Sequence, residues 1–419
     1  MMTTELTDDT KTVLLLCGHF GARDVLGPLD LRDYNVLAEW LRGQQLRPAD
    51  LLKNETVARL ESQATGLDVP RVRQLLQRGA ALALSAEKWL NKGIWVISRG
   101  DDAYPPRLRQ RLGRAAPPLL FGVGDSGQLA SGGLAIVGSR EADERAEAYT
   151  AEVGRRCAAE GISVVSGGAR GIDQQAVFSA LSAGGRAVVV LADSLLKCAL
   201  SGKYRDALRA ERVVIVSPYN PDVGFNVGNA MSRNKLIYAL ADHALVVSTS
   251  LRSGGTWAGA QEELTRKNGV TVFVRTEDSP PPGNSELLKL GARPFPPRPW
   301  TGSFRNLLRV EFVAHEPTPA YEMQPESTQD ATTGYSEAPS QPTVPPAPKT
   351  IYEAVFPILL EALASEKTPD ALAKELCVVK TQLNEWLKRA VKEAKVRKLS
   401  KPVRYVRIET GQPELDLGN

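Results

Sequence analysis

Short apolar runs alternate with longer amphipathic stretches in the middle of the chain. The apolar runs are rich in valine and isoleucine: Leu134–Val137, Ile162–Ser166, Ala187–Leu191, Val213–Ser217, Ala244–Ser248 and Val270–Val274. Such runs are typical of strands that are covered on both faces, as in a parallel sheet. Helical patterns lie between them: Asp143–Ala159, Asp173–Ala183, Lys203–Ala210, Asn229–Ala241 and Ala258–Lys267. This alternation predicts an α/β fold with an open, doubly wound, mostly parallel sheet, which binds ligands at the carboxyl ends of its strands.

Other patterns flank this core, which we place at residues 134–313. Residues 1–92 predict a helical module, in which the helical pattern runs from about Leu31 to Lys92. Residues 93–133 predict a bridging segment with a strand at Ile94–Ile97. Residues 314–350 are rich in proline, serine, threonine and glutamine, a composition typical of a disordered linker. Residues 351–419 predict three helices and then a hairpin, which is the order of a small winged-helix domain.

Composition narrows the classes of protein. The chain has 419 residues, of which 42% are hydrophobic and 24% charged, and this suits two or three domains. No apolar run reaches the roughly 20 residues that span a bilayer and no signal peptide is visible, so we expect a cytoplasmic protein without membrane contact. The four cysteines and three histidines lack ligand spacing, so we expect neither a disulfide framework nor a bound metal. The net charge is only +4, but residues 380–407 contain ten lysines and arginines and only two glutamates.

Glycine-rich loops after the predicted strands carry candidate chemistry. One loop connects a buried strand to a helix and reads Ser166-Gly167-Gly168-Ala169-Arg170-Gly171-Ile172-Asp173. Its backbone N–H groups and the helix N-terminus favour a phosphate, and we expect Asp173 to cap that helix. The first core strand ends in Gly138-Ser139-Arg140, where a glycine allows close approach and a guanidinium can grip phosphate. A GxGxxG motif is missing here, which disfavours a dehydrogenase.

Small and basic residues also follow the later strands. Lys197 comes after the third core strand, Arg233-Asn234-Lys235 lies in the next long helix, and Ser253-Gly254 follows the fifth strand. Because the carboxyl ends of parallel strands meet at one edge of a sheet, we expect these loops to converge, with phosphate as their common ligand. Arg233 and Lys235 can face different sides of their helix, so one of them can be structural. Phe225 is a candidate ring for stacking on a base, with a core position as the equal alternative.

At these residues the chain resembles the DprA/Smf family of DNA-processing proteins. The similarity rests on Gly138-Ser139-Arg140, Ser166–Asp173, Arg233-Asn234 followed by Leu236-Ile237, and Ser253-Gly254, and it covers roughly Gly93 to Pro282. The resemblance implies a helical N-terminal module, a Rossmann-like core and often a winged-helix tail. It also implies that the core binds and protects single-stranded DNA, usually as a homodimer, and loads a RecA-type recombinase in DNA uptake or recombination.

The resemblance and the loops together define a candidate phosphate-binding set. Its members are Gly138, Ser139, Arg140, Ser166, Gly167, Gly168, Ala169, Arg170, Gly171, Lys197, Arg233, Asn234, Lys235, Ser253 and Gly254. No convergent nucleophile and base are visible in the sequence, so we expect a binding protein without catalytic residues or a cofactor.

Two alternative hypotheses stay open. The first is a nucleotide-binding sensor or a LOG-like phosphoribohydrolase of the same superfamily. Its hallmark GGxGTxxE differs from Gly254-Gly255-Thr256-Trp257, and Glu262 falls six residues after Thr256 rather than three. In the second alternative the basic tail is the only DNA-binding part, and the core is a dimer scaffold.

Overall fold

The computed structural model of the chain describes residues 6–20, 27–63, 65–309, 351–376, 378, 380–393, 395–399 and 403–408. The chain divides into two compact units, residues 1–316 and 317–419. The linker that the sequence predicts at residues 314–350 lies outside the described residues. Within those described ranges, no helix combines the length and the apolarity that crossing a bilayer requires.

Among residues 6–20, 27–63 and 65–90, five helices form the N-terminal part of the first unit: α1 (Asp8–Cys17), α2 (Leu31–Gly43), α3 (Asn54–Glu61), α4 (Val69–Leu76) and α5 (Gly79–Leu90). Their apolar faces meet in a core that includes Leu37, Leu60 and Leu75. The sequence pattern predicts helices only from Leu31 onward and misses α1. The reason is that α1 is buried on several sides, threonines included, so it lacks the polar stripe of a surface helix.

The described residues of the first unit form one sheet of nine strands: β1 (Trp95–Ser98), β2 (Leu119–Val123), β3 (Leu134–Gly138), β4 (Val164–Ser166), β5 (Ala187–Val190), β6 (Val213–Ser217), β7 (His243–Ser248), β8 (Thr271–Val274) and β9 (Arg293–Pro294). The strand order is β1-β2-β6-β5-β4-β3-β7-β8-β9. The neighbouring strands β6, β5, β4, β3, β7, β8 and β9 run parallel to one another. At the β6 edge, β2 and β1 extend the sheet with antiparallel pairing. The prediction of a mostly parallel α/β sheet is confirmed, and the predicted bridging segment supplies its two antiparallel strands.

In the part of the unit that the structure describes, nine helices accompany this sheet: α6 (Pro106–Leu112), α7 (Glu144–Ala159), α8 (Ile172–Ser182), α9 (Leu195–Leu200), α10 (Arg205–Arg209), α11 (Val227–Leu240), α12 (Gly254–Thr265), α13 (Pro282–Lys289) and α14 (Phe304–Leu307). Alternate residues of β3 show how both faces are covered. Ile136 packs in a cluster with α7 and α8, whereas Val137 packs in a cluster with α11 and α12. The sheet is therefore doubly wound, with the strand order reversing beside β3.

The second unit contains α15 (Ile351–Ala362), α16 (Pro369–Glu375), α17 (Lys380–Lys392), β10 (Val396–Leu399) and β11 (Arg404–Arg407). The Ala371 N–H donates to the Thr368 hydroxyl at 3.3 Å, so Thr368 caps α16. Leu359, Leu383 and Tyr405 belong to its apolar core. Three helices followed by a hairpin is the predicted order, and the assignment to the winged-helix class stays a prediction.

Candidate nucleic-acid interface

A cavity of about 690 Å³ opens at the carboxyl ends of β3 and β7, where the strand order reverses. The loop after β3, one face of α11 and the first turn of α12 form its walls. Ile237, Tyr238 and Trp257 contribute apolar surface to it. Its volume and mixed lining are those of a typical ligand pocket, which lies at this position in doubly wound sheets.

Arg140 and Phe225 stand together at this cavity. The Cζ atom of Arg140 lies 5.4 Å from the centroid of the Phe225 ring, which is the geometry of a cation–π contact. Both side chains are exposed, and Phe225 has a relative exposure of 56%. Phe225 comes from the loop of residues 218–226 between β6 and α11. The site therefore presents a guanidinium and an aromatic face side by side to solvent.

The N-terminus of α12 forms a second wall of the cavity. Ser253, Gly254, Gly255 and Thr256 all line the space. The Thr256 hydroxyl donates to the Gly138 carbonyl oxygen at 3.0 Å, which joins α12 to the end of β3. The first N–H groups of a helix carry partial positive charge and lack partners within the helix, so this end of α12 favours an anion.

Asp173 and Arg233 form the buried base of the site. The N–H groups of Gly138, Gly167 and Ala169 donate to the Asp173 carboxylate. Arg233 has a relative exposure of 5%, and its Nη1 donates to the carbonyl oxygens of Gly167, at 2.7 Å, and Val190. Burial raises the pKa of Asp173 to about 6, against the opposing effects of Arg233 and the three N–H groups.

This arrangement corrects one prediction. The sequence predicts that Asp173 caps α8, but the N-cap position belongs to Gly171, and the Asp173 carboxylate binds the loops after β3 and β4 instead. Two of the N–H groups expected to cradle a phosphate, those of Gly167 and Ala169, donate to this carboxylate. The glycine at 167 is required because a Cβ atom there would lie 2.5 Å from Asp173 Oδ2. The loop after β4 thus binds the carboxylate of Asp173 with N–H groups that the sequence analysis assigns to a phosphate.

The comparison with known proteins bears on this same region. Residues 95–297 match the family model described as DNA recombination-mediator protein A. This core belongs to the DprA/Smf family. The chain is 30% identical to protein Smf of Escherichia coli over 236 residues, which is 55% of this chain and 62% of that protein. It is also 30% identical to a putative DNA processing protein DprA of Mycobacterium tuberculosis over 218 residues, 49% of this chain and 56% of that protein. The chain therefore spans about three fifths of the length of these relatives.

A solved structure supports the fold of this DprA/Smf core. The DprA protein of Streptococcus pneumoniae superposes with a TM-score of 0.53 at 21% sequence identity, covering 69% of this chain and 94% of that one. At this identity the similarity shows the fold alone.

Within the DprA/Smf core, about half of the candidate phosphate-binding set lines the cavity: Gly138, Ser139, Arg140, Ala169, Arg233, Asn234, Ser253 and Gly254. The other members do not line it: Ser166, Gly167, Gly168, Arg170, Gly171, Lys197 and Lys235. The buried Ser166 hydroxyl donates to the Ile136 carbonyl oxygen at 2.6 Å. Lys197 is exposed on α9, and burial lowers the pKa of Lys235, which faces Glu262.

One face of α11 supplies lining residues that the sequence analysis did not name as site residues. They are Val227, Ala230, Met231, Ile237 and Tyr238. Together with Asn234 they follow the spacing i, i+3, i+4, i+7 of a single helix face. That spacing, counted from Asn234, is the signal that could have identified them.

Proposed function

We propose that this cavity and its rim bind single-stranded DNA. The observation that carries the proposal is the exposed Arg140–Phe225 pair at a cavity beside the N-terminus of α12. A guanidinium is a strong phosphate ligand, and an exposed aromatic ring is a platform for an unpaired base. A single strand offers both groups at once, whereas the bases of a duplex are stacked inside it.

In this proposal each neighbouring residue has a different role in DNA binding. Arg140 and the first turn of α12 would hold phosphates, because both offer positive charge at the same mouth. Phe225 would stack on a base, and the apolar side chains of Val227 and Met231, with exposures of 64% and 47%, would cover the neighbouring sugar or base. Arg233 would act as a positioning residue, since its guanidinium is buried on two backbone carbonyls.

The family supports the wider role. The core of this chain matches the family model of a recombination mediator. We therefore propose that the chain protects single-stranded DNA and loads a RecA-type recombinase in recombination or DNA uptake. We further propose that it works as a homodimer in the cytoplasm, and that exposed cations of the second unit, such as Arg397 and Lys398, add contacts to DNA.

A binding role accounts for the site better than nucleotide hydrolysis does. The carboxylates that line the cavity are Glu141 and Asp173, and Asp173 is already bound by three N–H groups. Glu262 pairs with Arg266 at 2.6 Å, and Glu263 accepts from the Val270 N–H at 2.8 Å. Neither of these two glutamates of α12 lines the cavity.

A salt titration with labelled oligo(dT) tests the proposal. For single strands, the logarithm of the association constant changes with the logarithm of salt concentration by about −0.7 per phosphate contacted. We expect Arg140→Ala to weaken binding and to flatten this slope by about 0.7. Phe225→Ala should weaken binding by about 1–3 kcal/mol with little change in slope, because stacking releases no counterion.

Arg186→Ala is the matched control, since Arg186 is exposed just before β5, at the opposite edge of the parallel strands. If Arg140→Ala and Arg186→Ala behave alike in affinity and slope, the assignment of the cavity is wrong. Absence of binding by the unmodified chain at low salt would refute the function itself.

A further inference from the structure

The loop of residues 218–226 brings Phe225 to the cavity, yet it contains neither helix nor strand. Its orientation therefore depends on what holds it. On one side, the carbonyl oxygens of Pro221 and Val223 accept from the N–H groups of Leu196, at 3.0 Å, and Ser194, at 2.8 Å. This attaches the loop to the start of α9, beside the sheet.

The N-terminal helical module holds the other side of the same loop. The Lys88 ammonium lies 2.6 Å from Asp222 Oδ1, and the Trp89 indole N–H donates to Asp222 Oδ2 at 3.4 Å. The Asn220 amide also donates to the carbonyl oxygen of His19. These contacts join residues that are more than 130 positions apart in the chain.

On the module's side, a buried side chain anchors Asp222. Trp89 is almost fully buried, and its ring meets that of Phe121 edge-on at 5.3 Å between centroids. Asp222 is only three residues from Phe225, and residues 224–226 project into solvent. A displacement of Asp222 is therefore transmitted to the aromatic ring over a short stretch of chain.

We infer that Lys88 and Trp89 are positioning residues for DNA binding: they fix Asp222 and thereby hold Phe225 over Arg140. The inference rests on the proposed function of the cavity. It assigns to the N-terminal module a part in single-strand binding without any contact between that module and the DNA. The ion pair is half-exposed, with side-chain exposures of 52% and 41%, so it contributes little to the core and can be exchanged without unfolding the chain.

A charge-swap experiment tests this inference in the full chain. Lys88→Glu places two like charges together and should release Asp222, which we expect to weaken oligo(dT) binding about three- to tenfold. The double variant Lys88→Glu with Asp222→Lys restores an ion pair of opposite polarity and should recover part of the lost affinity, but not all of it, because a lysine cannot accept the Trp89 N–H. Asp222→Lys alone completes the double-mutant cycle, so the general effect of a charge added near the DNA cancels.

Lys92→Glu is the matched control. Lys92 lies just beyond α5, is exposed and has no ion pair among the described residues, so it reports the same charge change without the contact. Its effect should be smaller than that of Lys88→Glu. Thermal unfolding of each variant verifies that the chain remains folded.

A second comparison uses the Phe225→Ala background. If Lys88 acts through Phe225, Lys88→Glu should cause less than a twofold further loss there. The inference is overturned if Lys88→Glu and Lys92→Glu are equivalent, if the swap gives no recovery, or if the loss is undiminished without Phe225. In all three cases the unmodified chain still binds DNA, which separates this failure from a failure of the proposed function, where that chain does not bind.

Discussion

At the scale of single residues, Asp173 and Arg233 hold the interface in place. Asp173 collects N–H groups from the loops after β3 and β4, and Arg233 binds the carbonyl oxygens of Gly167 and Val190. Since Val190 ends β5, the two side chains tie three strand ends to α8 and α11. In the proposed complex this buried pair fixes the backbone behind the exposed Arg140.

Asp173→Ala tests the structural role of that carboxylate. The substitution leaves the N–H groups of Gly138, Gly167 and Ala169 without their acceptor, and it leaves the buried Arg233 without a neighbouring negative charge, which costs about 3–5 kcal/mol for a buried pair. We expect the free energy of unfolding, measured with urea, to fall by about 3 kcal/mol or more. Asp206→Ala, at an exposed position of α10, should change it by no more than about 0.5 kcal/mol. A loss below about 1 kcal/mol for Asp173→Ala would show that water replaces the carboxylate at low cost.

At the scale of elements, the site depends on how closely α8 approaches the loop after β3. Gly171 has φ +82° and ψ −134°, a conformation that glycine adopts and other residues avoid. A Cβ atom at this position would lie 2.5 Å from the carbonyl oxygen of Ser139 and 2.8 Å from that of Arg140. The glycine therefore sets the position of the segment that carries Arg140, the guanidinium that we propose as a phosphate ligand.

Gly171→Ala should disturb both the fold and the binding. We expect a loss of about 3 kcal/mol or more in the free energy of unfolding, from backbone strain and from the clash. Oligo(dT) affinity should also fall under conditions where the variant remains folded. Gly161→Ala is the matched control, because Gly161 also has positive φ, +64°, but nothing lies within 4 Å of its added Cβ. It should cost only about 1–2 kcal/mol and leave affinity unchanged. Equal effects of the two substitutions would mean that the contact with Ser139 and Arg140 is unimportant.

Elements also show what sequence reasoning can and cannot reach. The strand Val213–Ser217 was predicted with its observed bounds because a buried parallel strand has an unbroken apolar pattern. Arg140 could be placed at the site because the end of β3 must face the ligand edge of the sheet. Lys197 and Lys235 could not be placed, since tertiary packing decides which way a helical lysine points. The sequence does not reveal that Asp173 accepts from the N–H groups of Gly167 and Ala169 for a similar reason. Only the folded chain brings this carboxylate back onto the glycine loop.

At the scale of the whole molecule, two compact units separate at about residue 316. The finer division into module, bridge, core, linker and tail stays a prediction. The first unit holds the cavity, its rim and the helical module that grips the loop at 218–226. Much of the concentrated positive charge belongs to the second unit, where Arg397 and Lys398 are exposed. The basic segment and the cavity therefore lie in different units. The contribution of each unit to DNA affinity has to be measured separately.

Truncation after residue 316 separates the two contributions. Because we place phosphate and base contacts in the first unit, we expect the truncated chain to bind oligo(dT) within about tenfold of the full chain, with a salt slope shallower by about 0.7 for each phosphate that the second unit contacts. Arg140→Ala in the truncated chain should then remove most of the remaining affinity, since no basic tail is left to compensate. Near-complete loss of binding on truncation alone would instead make the basic tail the only DNA-binding part. A truncated chain that binds as well as the full chain, with an identical slope, would show that the second unit serves something other than single-stranded DNA.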